Sequence, residues 1–286
     1  MLNSATTDDG VYEVYALRYA SMPERRSLEN FLVRDGIHDG PMALEFYIWI
    51  VRNAHRTILV DTGFGREAFA GQRPWTLIID PIESLVQLGI DVETIQDVVI
   101  THLHCDHAGS IDRLPNARLH VQDAEVNYAT GRCMCESHLR YGFELENILT
   151  LMRRVYSERV CFHDGDASPF PGVSLHLVPG HTPGMQVVRV MTKRGPVVLA
   201  SDASHYYANY LRRAPFKLTT DAIATLRSYN RLLELADGAV SRIVPGHDPK
   251  VRALYPKQEA GGIELICLHE EPVHHDLEAL SRVDNF

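Results

Sequence analysis

Clusters of apolar residues, separated by short polar segments, predict strands in both halves of the chain. The runs 11–19 and 43–60 are rich in β-branched and aromatic residues, and the second is predicted to form a hairpin that turns near Asn53 and Ala54. Shorter apolar runs predict further strands at 98–100, 118–121, 173–178, 186–191, 197–200 and 242–244.

Helices are predicted where a capping residue or helical apolar spacing follows these runs. Asp80, followed by proline, is typical of a helix start, and Gly89 is typical of its end. Apolar spacing predicts a long amphipathic helix over 137–158 and shorter helices over 123–129 and 221–236. Each β-rich half therefore ends in helices, which predicts two packed sheets with helices outside them.

No Ser/Gly-rich linker, charge block or internal repeat divides the sequence. We therefore predict a single domain over 1–286. Residues 252–286 are predicted to be a C-terminal extension, mostly loop and helix, to which the sequence assigns no role.

The composition narrows the classes of function. The 286 residues are 45% hydrophobic and 23% charged, which is typical of a soluble globular protein. The 28 Lys and Arg against 37 Asp and Glu give a net charge of −9, which argues against nucleic-acid and anionic membrane partners. The segment 1–10 lacks the features of an export signal, so a cytoplasmic location is predicted. The five cysteines are an odd number and are predicted to be reduced.

The densest group of chemically active residues directly follows a predicted strand. The segment 101–109 places four metal-ligand side chains within six positions. Since residues i and i+2 of an extended chain face the same way, His102 and His104 can bind one ion. After a turn, Asp106 and His107 can face a second ion. Imidazole and carboxylate together suit zinc and similar metals better than calcium or magnesium.

Further candidate ligands follow later predicted strands, namely His181, Asp202 and His247. The full set of five histidines and two aspartates is enough for two ions that share one carboxylate. A structural zinc site, the first alternative, is normally closed by four ligands and often uses cysteine. An open hydrolytic two-metal site fits the set better. Cys105 is predicted to point away into the packing, and the complete ligand set argues against a binding module without catalysis.

These residues resemble the HxHxDH pattern of the metallo-β-lactamase superfamily. Asp61-Thr62-Gly63, Gly180-His181, Asp202 and Pro245-Gly246-His247 follow in the order that this superfamily shows, and the similarity covers about residues 11–255. The resemblance implies an α/β fold, the αβ/βα four-layer sandwich of two mixed β-sheets flanked by helices. A dinuclear metal site is then expected at one edge of the sheets.

Within this superfamily the chain most resembles the N-acyl homoserine lactone lactonases, on 101–109, Asp202-Ala203-Ser204 and His247-Asp248. The resemblance implies two divalent metal ions, with Zn²⁺ expected and Fe, Mn or Co as alternatives. It assigns one ion to His102, His104 and His181, and the second ion to Asp106, His107 and His247. Asp202 is then expected to bridge the two ions, and Asp61 to orient one of the ligands.

The reaction implied is the opening of a lactone ring by a metal-bridging hydroxide, as in quorum quenching, with Asp106 passing a proton to the leaving oxygen. Another small lactone, an activated ester or a thioester, as in glyoxalase II, is the alternative substrate. A flavin-linked di-iron oxidoreductase would need an additional flavodoxin-like domain, for which 286 residues leave no room. A small-molecule partner is expected, without nucleic acid or membrane, and a homodimer is the default.

Two positions depart from the lactonase pattern. Met185 stands where a second histidine commonly follows the Gly-His-Ser/Thr-Pro-Gly motif. His205 stands three residues after Asp202, where a tyrosine commonly orients the substrate carbonyl, and Tyr206 follows it. We therefore expect His205 or Tyr206 to donate to the carbonyl, with a surface position for His205 as the alternative.

Overall fold

The computed structural model describes residues 9–65, 73–273 and Leu280. Its strands are β1 (Glu13–Met22), β2 (Leu44–Arg52), β3 (Thr57–Val60), β4 (Thr76–Leu77), β5 (Asp97–Val99), β6 (Arg118–Gln122), β7 (Val160–His163), β8 (Ala167–Phe170), β9 (Val173–Leu177), β10 (Gln186–Thr192), β11 (Gly195–Ser201), β12 (Ile243–Pro245), β13 (Lys257–Ala260) and β14 (Ile263–Cys267). Its α-helices are α1 (Pro81–Gln87), α2 (Cys105–Ala108), α3 (Asp123–Thr130), α4 (Leu145–Tyr156), α5 (Tyr207–Leu211), α6 (Ala222–Leu235) and α7 (Pro249–Leu254).

The strands form two mixed sheets. The larger sheet has the order β13-β14-β1-β2-β3-β5-β6-β7, with β4 paired to β1, and the smaller sheet has the order β12-β11-β10-β9-β8. Strands β1, β2 and β3 are antiparallel, whereas β3, β5, β6 and β7 run parallel. This architecture confirms the predicted sandwich of two mixed sheets with helices.

Alternate side chains of β1 enter two different hydrophobic cores, because successive side chains of a strand point to opposite faces of the sheet. Val14 and Ala16 belong to the core shared with the smaller sheet and α6. Tyr15, Leu17 and Tyr19 belong to the core that α1 and α4 cover. The larger sheet is therefore buried on both faces, and its strand ends lie where side chains from both sheets can meet.

Most predicted elements are present, including the hairpin between β2 and β3 and the helix capped by Asp80, whose carboxylate accepts the Ile82 and Glu83 N–H groups at 3.0 Å. The long helix predicted over 137–158 is wrong, because only 145–156 is helical. The turns before this helix place Phe143 against the ring of His104, with the two ring centroids 4.7 Å apart. The apolar spacing there reflects this packing, not a helical face.

The prediction of loop and helix for the C-terminal extension is also wrong for its described part. After α7, β13 and β14 form an antiparallel hairpin, and β14 pairs with β1, so this segment extends the larger sheet. Gly261 and Gly262 connect the two strands with φ of 58° and 76°, a conformation that favours glycine in tight hairpin turns. Apart from Leu280, the part of the extension beyond residue 273 lies outside the described residues.

None of the helices described in 9–65 and 73–273 has both the length and the apolar character needed to cross a bilayer.

Candidate metal centre

Four strand ends of the two sheets carry the predicted ligands to one place. Segment 101–109 follows β5, one loop connects β9 to β10, and two further loops follow β11 and β12. The structure brings all seven predicted ligands together in two groups, each with its ligand atoms within 4.8 Å of one another: His102, His104, His181 and Asp202, and Asp106, His107 and His247.

The carboxylate of Asp202 lies between these two groups. Its Oδ1 is 2.9 Å from His247 Nε2 and 3.3 Å from His107 Nε2. Its Oδ2 is 3.2 Å from His181 Nε2 and 3.8 Å from His102 Nε2. Each oxygen therefore faces one group, which is the arrangement that a bridging carboxylate requires.

Backbone carbonyls orient two of the histidine rings. His181 Nδ1 donates to Leu218 O at 2.7 Å, and His247 Nδ1 donates to Glu45 O at 2.8 Å. A proton on Nδ1 leaves the Nε2 lone pair free to face Asp202. Such outer hydrogen bonds fix the tautomer and the ring direction of metal-binding histidines.

Asp61 orients a third ring from the end of β3. Its Oδ2 accepts from His107 Nδ1 at 2.7 Å and from the Thr101 hydroxyl at 2.8 Å, while Oδ1 accepts the Thr101 N–H at 2.7 Å. Asp61 has φ of 59°, which aspartate tolerates better than most side chains. The turn after β3 therefore aims the carboxylate directly at the segment that carries the ligands.

The chemical state of the cluster fits divalent cations. His102 Nε2, His107 Nε2 and Asp202 Oδ1 are buried without a hydrogen-bond partner among the described residues, and unpaired buried polar atoms are costly. Burial lowers the pKa of His102, His104 and His181, so these rings are neutral. Burial opposes a charge on His107 and on Asp202, but Asp106, Asp202 and Asp61 raise the pKa of His107 well above its usual value, and positive charge on the surrounding histidines lowers the pKa of Asp202 well below its own. Metal ions bind neutral imidazole and ionised carboxylate, so an ion bound by His107 would replace the proton on its Nε2.

A cavity of about 360 Å³ opens over Asp106, Asp202 and His205. This volume lies within the ~300–1,000 Å³ typical of small-molecule sites. Its lining includes both aromatic and charged side chains, namely Phe46, Trp75, Tyr141 and Phe216 together with Arg25, Glu29, Arg73 and Lys217.

The two candidate donors after Asp202 occupy different places. His205 is buried, so it does not lie on the surface; its ring stacks on Phe216 with centroids 3.5 Å apart, and its Nε2 lies 2.9 Å from Asp202 Oδ2. Burial lowers the pKa of His205 to about 3. Tyr206 is also buried, but its hydroxyl donates to Ala43 O at 3.1 Å and it does not line the cavity. The structure brings His205 to the cluster and leaves Tyr206 out of it.

Two further sulfur side chains lie outside the cluster. Cys105 is buried, belongs to neither ligand group, and burial raises the pKa of its thiol to about 12. Met185 is fully buried in the core between the sheets. Both positions agree with a ligand set made of imidazoles and carboxylates alone.

The sequence analysis missed Glu125, which connects two ligand-bearing loops. Its Oε1 accepts the Leu103 N–H at 2.9 Å, and its Oε2 accepts the Gly184 N–H at 3.1 Å. The Tyr19 hydroxyl also supports the segment 101–109, since it donates to Asp106 O at 2.6 Å. A fully buried carboxylate in the short helix α3 has no distinctive sequence pattern, because both of its partners lie far away along the chain.

Comparison with known proteins agrees with this geometry. Residues 47–247 match the family model of the metallo-beta-lactamase superfamily, and the chain belongs to this superfamily. It is 30% identical over 240 residues to an N-acyl homoserine lactonase of a Bacillus species, covering 78% of this chain and 90% of that relative.

A second relative, the N-acyl homoserine lactonase AttM of Azorhizobium caulinodans, is 31% identical over 165 residues. That match covers 57% of this chain and 61% of the relative, which is less than two thirds of its length. Among solved structures, a quorum-quenching N-acyl homoserine lactone lactonase superposes with a TM-score of 0.69 at 25% identity, covering 87% of this chain and 95% of that chain. All three of these proteins are named as N-acyl homoserine lactone lactonases.

Proposed function

We propose that this chain is a hydrolase that uses divalent metal ions to open the lactone ring of N-acyl homoserine lactones. The observation that carries the proposal is the pair of ligand groups on either side of Asp202, at the floor of a cavity large enough for a small molecule. The lactonase activity named for the relatives supports the choice of substrate.

Two divalent metal ions are assigned to this centre, with Zn²⁺ as the expected metal. Imidazole and carboxylate ligands without thiolate suit zinc, and also iron, manganese and cobalt. When bound, such ions supply Lewis acidity, which lowers the pKa of water and polarises a carbonyl oxygen. The residues assigned to hold them are His102, His104 and His181 on one side, Asp106, His107 and His247 on the other, and Asp202 between them.

Asp106 is proposed to move the proton. It lines the cavity, and His107 and His247 lower the pKa of its carboxyl although burial opposes them, so it is ionised at neutral pH. Its carboxylate accepts a proton from the water that attacks the lactone carbonyl and returns that proton to the ring oxygen as the C–O bond breaks. Lactone and water then give the open hydroxy acid.

His205 is proposed to act as a positioning residue through Asp202. With its pKa near 3 the ring is neutral, so its single N–H, on Nε2, donates to the carboxylate at 2.9 Å. Phe216 holds the ring in that plane by stacking. His205→Ala is expected to lower kcat more than it lowers metal content, and equal losses would assign His205 to metal retention instead.

The aromatic wall is proposed to hold the acyl chain. The ring centroid of Trp75 lies 4.9 Å from that of Phe46 and 5.0 Å from that of Phe64. The guanidinium carbon of Arg73 lies 4.9 Å from the ring centroid of Trp75 and 5.1 Å from that of Tyr141. This surface buries apolar carbon while the cationic rim stays in contact with water.

A pH-drop assay tests the proposal with the metal-loaded protein. The panel is N-acyl homoserine lactones of several chain lengths, simple γ-lactones, aryl esters and glutathione thioesters. The first group is expected to react fastest, and faster thioester hydrolysis would favour the glyoxalase II-like alternative. The double variant His102→Ala/Asp106→Ala is expected to lose both turnover and the ions of this centre while keeping its circular dichroism spectrum. Turnover retained by that variant would refute the metal mechanism.

A further inference from the structure

A second cluster of metal-binding side chains lies on the neighbouring strands β6 and β7. In the parallel register of these strands, His120 is opposite Cys161 and Gln122 is opposite His163. Since alternate residues of a strand share a face, His120, Cys161 and His163 lie on one face of the larger sheet. Their ligand atoms lie within 4.8 Å of one another, and none of these residues belongs to the centre around Asp202.

The nitrogen atoms of His120 and His163 are close to the spacing that one ion requires, but the two rings are nearly parallel (12°, centroids 5.3 Å apart), so they must tilt before both lone pairs can converge on one ion. His120 Nδ1 is 3.1 Å from His163 Nε2. Two nitrogens bound to one tetrahedral zinc ion lie about 3.3 Å apart, given Zn–N bonds of about 2.0–2.1 Å. A simple hydrogen bond between the two rings uses the same two atoms and is the alternative that an experiment must exclude.

A carboxylate orients His120 from outside the cluster. Asp97 Oδ1, on β5, lies 3.1 Å from His120 Nε2 on the side away from His163. The carboxylate favours the tautomer with its proton on Nε2, which leaves the Nδ1 lone pair directed at His163. Carboxylate–histidine pairs of this kind commonly support metal ligands.

The cluster is rigid on one side and open on the other. His120 is buried, whereas Cys161 and His163 are half-buried, so an ion and a water ligand can reach them from solvent. Gln122 holds the loop after β7 in place, since its side chain accepts the Gly165 N–H at 3.0 Å and donates to Gly165 O at 2.8 Å.

We propose that His120, Cys161 and His163 bind one divalent transition-metal ion of the zinc class, with Asp97 positioning His120. Two imidazoles and a thiolate suit Zn²⁺, Co²⁺ or Cd²⁺ and not Mg²⁺ or Ca²⁺. Strand β7 is the edge strand of the larger sheet in the described part of the chain. The ion would therefore cross-link this edge to β6 and stabilise the folded state, as any ligand specific for that state does.

Cobalt(II) substitution of the full chain tests this site by spectroscopy. A thiolate bound to Co²⁺ gives an intense near-ultraviolet charge-transfer band, and the ligands assigned around Asp202 include no thiol. We expect three Co²⁺ per chain and a thiolate band in the unmodified protein. Cys161→Ser is expected to lose the band and one ion. His163→Gln, which removes a different ligand of the same site, is expected to show the same two losses. Cys133→Ser, which removes another half-buried thiol, is expected to keep both.

Two further readouts separate this site from the catalytic proposal. Cys161→Ser is expected to keep lactone turnover, and added Zn²⁺ is expected to raise the Tm of the unmodified protein but not that of Cys161→Ser. Absence of the thiolate band, or a band that Cys161→Ser leaves unchanged, would overturn the proposal and reduce the cluster to a histidine pair. Neither result depends on which substrate the other centre hydrolyses.

Discussion

Replacing Asp61 by asparagine is expected to weaken metal binding at His107 by changing which ring nitrogen carries the proton. In the structure Asp61 accepts from His107 Nδ1, so Nε2, which lies 3.3 Å from Asp202 Oδ1, is the nitrogen that gives up its proton when an ion binds. The amide oxygen of Asp61→Asn can keep the Thr101 N–H, but the amide nitrogen then faces His107 and can only donate. His107 must accept on Nδ1, which moves its proton to Nε2 and removes the lone pair that an ion requires.

The size of this effect follows from the role of Asp61 as the outer hydrogen-bond partner of His107. Loss of an outer hydrogen-bond partner lowers metal affinity about 10–100-fold, which equals about 1.4–2.8 kcal/mol. The fold also loses one charge-assisted hydrogen bond, a cost of about 1.5–3 kcal/mol. Burial raises the pKa of Asp61, which shows that its charge is poorly solvated. Replacing that charged group with a neutral amide therefore offsets part of the cost. Asparagine tolerates the positive φ of this residue.

Competition with a chromophoric chelator at neutral pH measures the affinity directly. Asp80→Asn is the matched control: Asp80 is an equally buried carboxylate that caps α1 and pairs with Arg113 at 2.7 Å, without contact to the ligands. We expect weaker binding of one ion in Asp61→Asn and unchanged affinity in Asp80→Asn. Unchanged affinity in Asp61→Asn, or equal losses in both variants, would refute the tautomer argument.

Two further predictions concern a tight contact and an ion pair. A Cβ at Gly142 would overlap the His104 ring, so Gly142→Ala is expected to displace this ligand and reduce lactone turnover; Gly40→Ala, with no described atom within 4 Å of the new carbon, should leave the measured kcat/KM unchanged. Arg252 bonds Glu264 at 2.6 Å and lowers its pKa, so the folded state favours the ionised carboxyl. Glu264→Gln is therefore expected to cost about 0.2–1 kcal/mol at pH 7. In urea unfolding this difference should disappear as the pH falls below about 4.3 and through the lower folded-state pKa; a difference that is constant with pH would contradict it.

The sequence by itself determined the features that depend on neighbouring residues. Strand periodicity predicted β1 and the hairpin of β2 and β3, and the Asp80 cap predicted the start of α1, because each is set by contacts within a few residues. The side chains of the candidate metal centre could be predicted for a similar reason. Four of them lie in the segment 101–109, which runs from the end of β5 into α2, and the others directly follow predicted strands, whose ends meet at one edge of a sandwich.

Only the tertiary structure decided features that depend on residues far apart in the chain. Tyr206 and His205 are neighbours in the sequence, which does not distinguish them as candidate donors. In the structure the Tyr206 hydroxyl donates to the carbonyl of Ala43, 163 residues away, whereas His205 faces Asp202. Glu125 joins loops 22 and 59 residues away from it. His120 becomes a candidate ligand only because β6 pairs with β7. Local sequence patterns do not specify such partners, because only long-range packing brings these residues together.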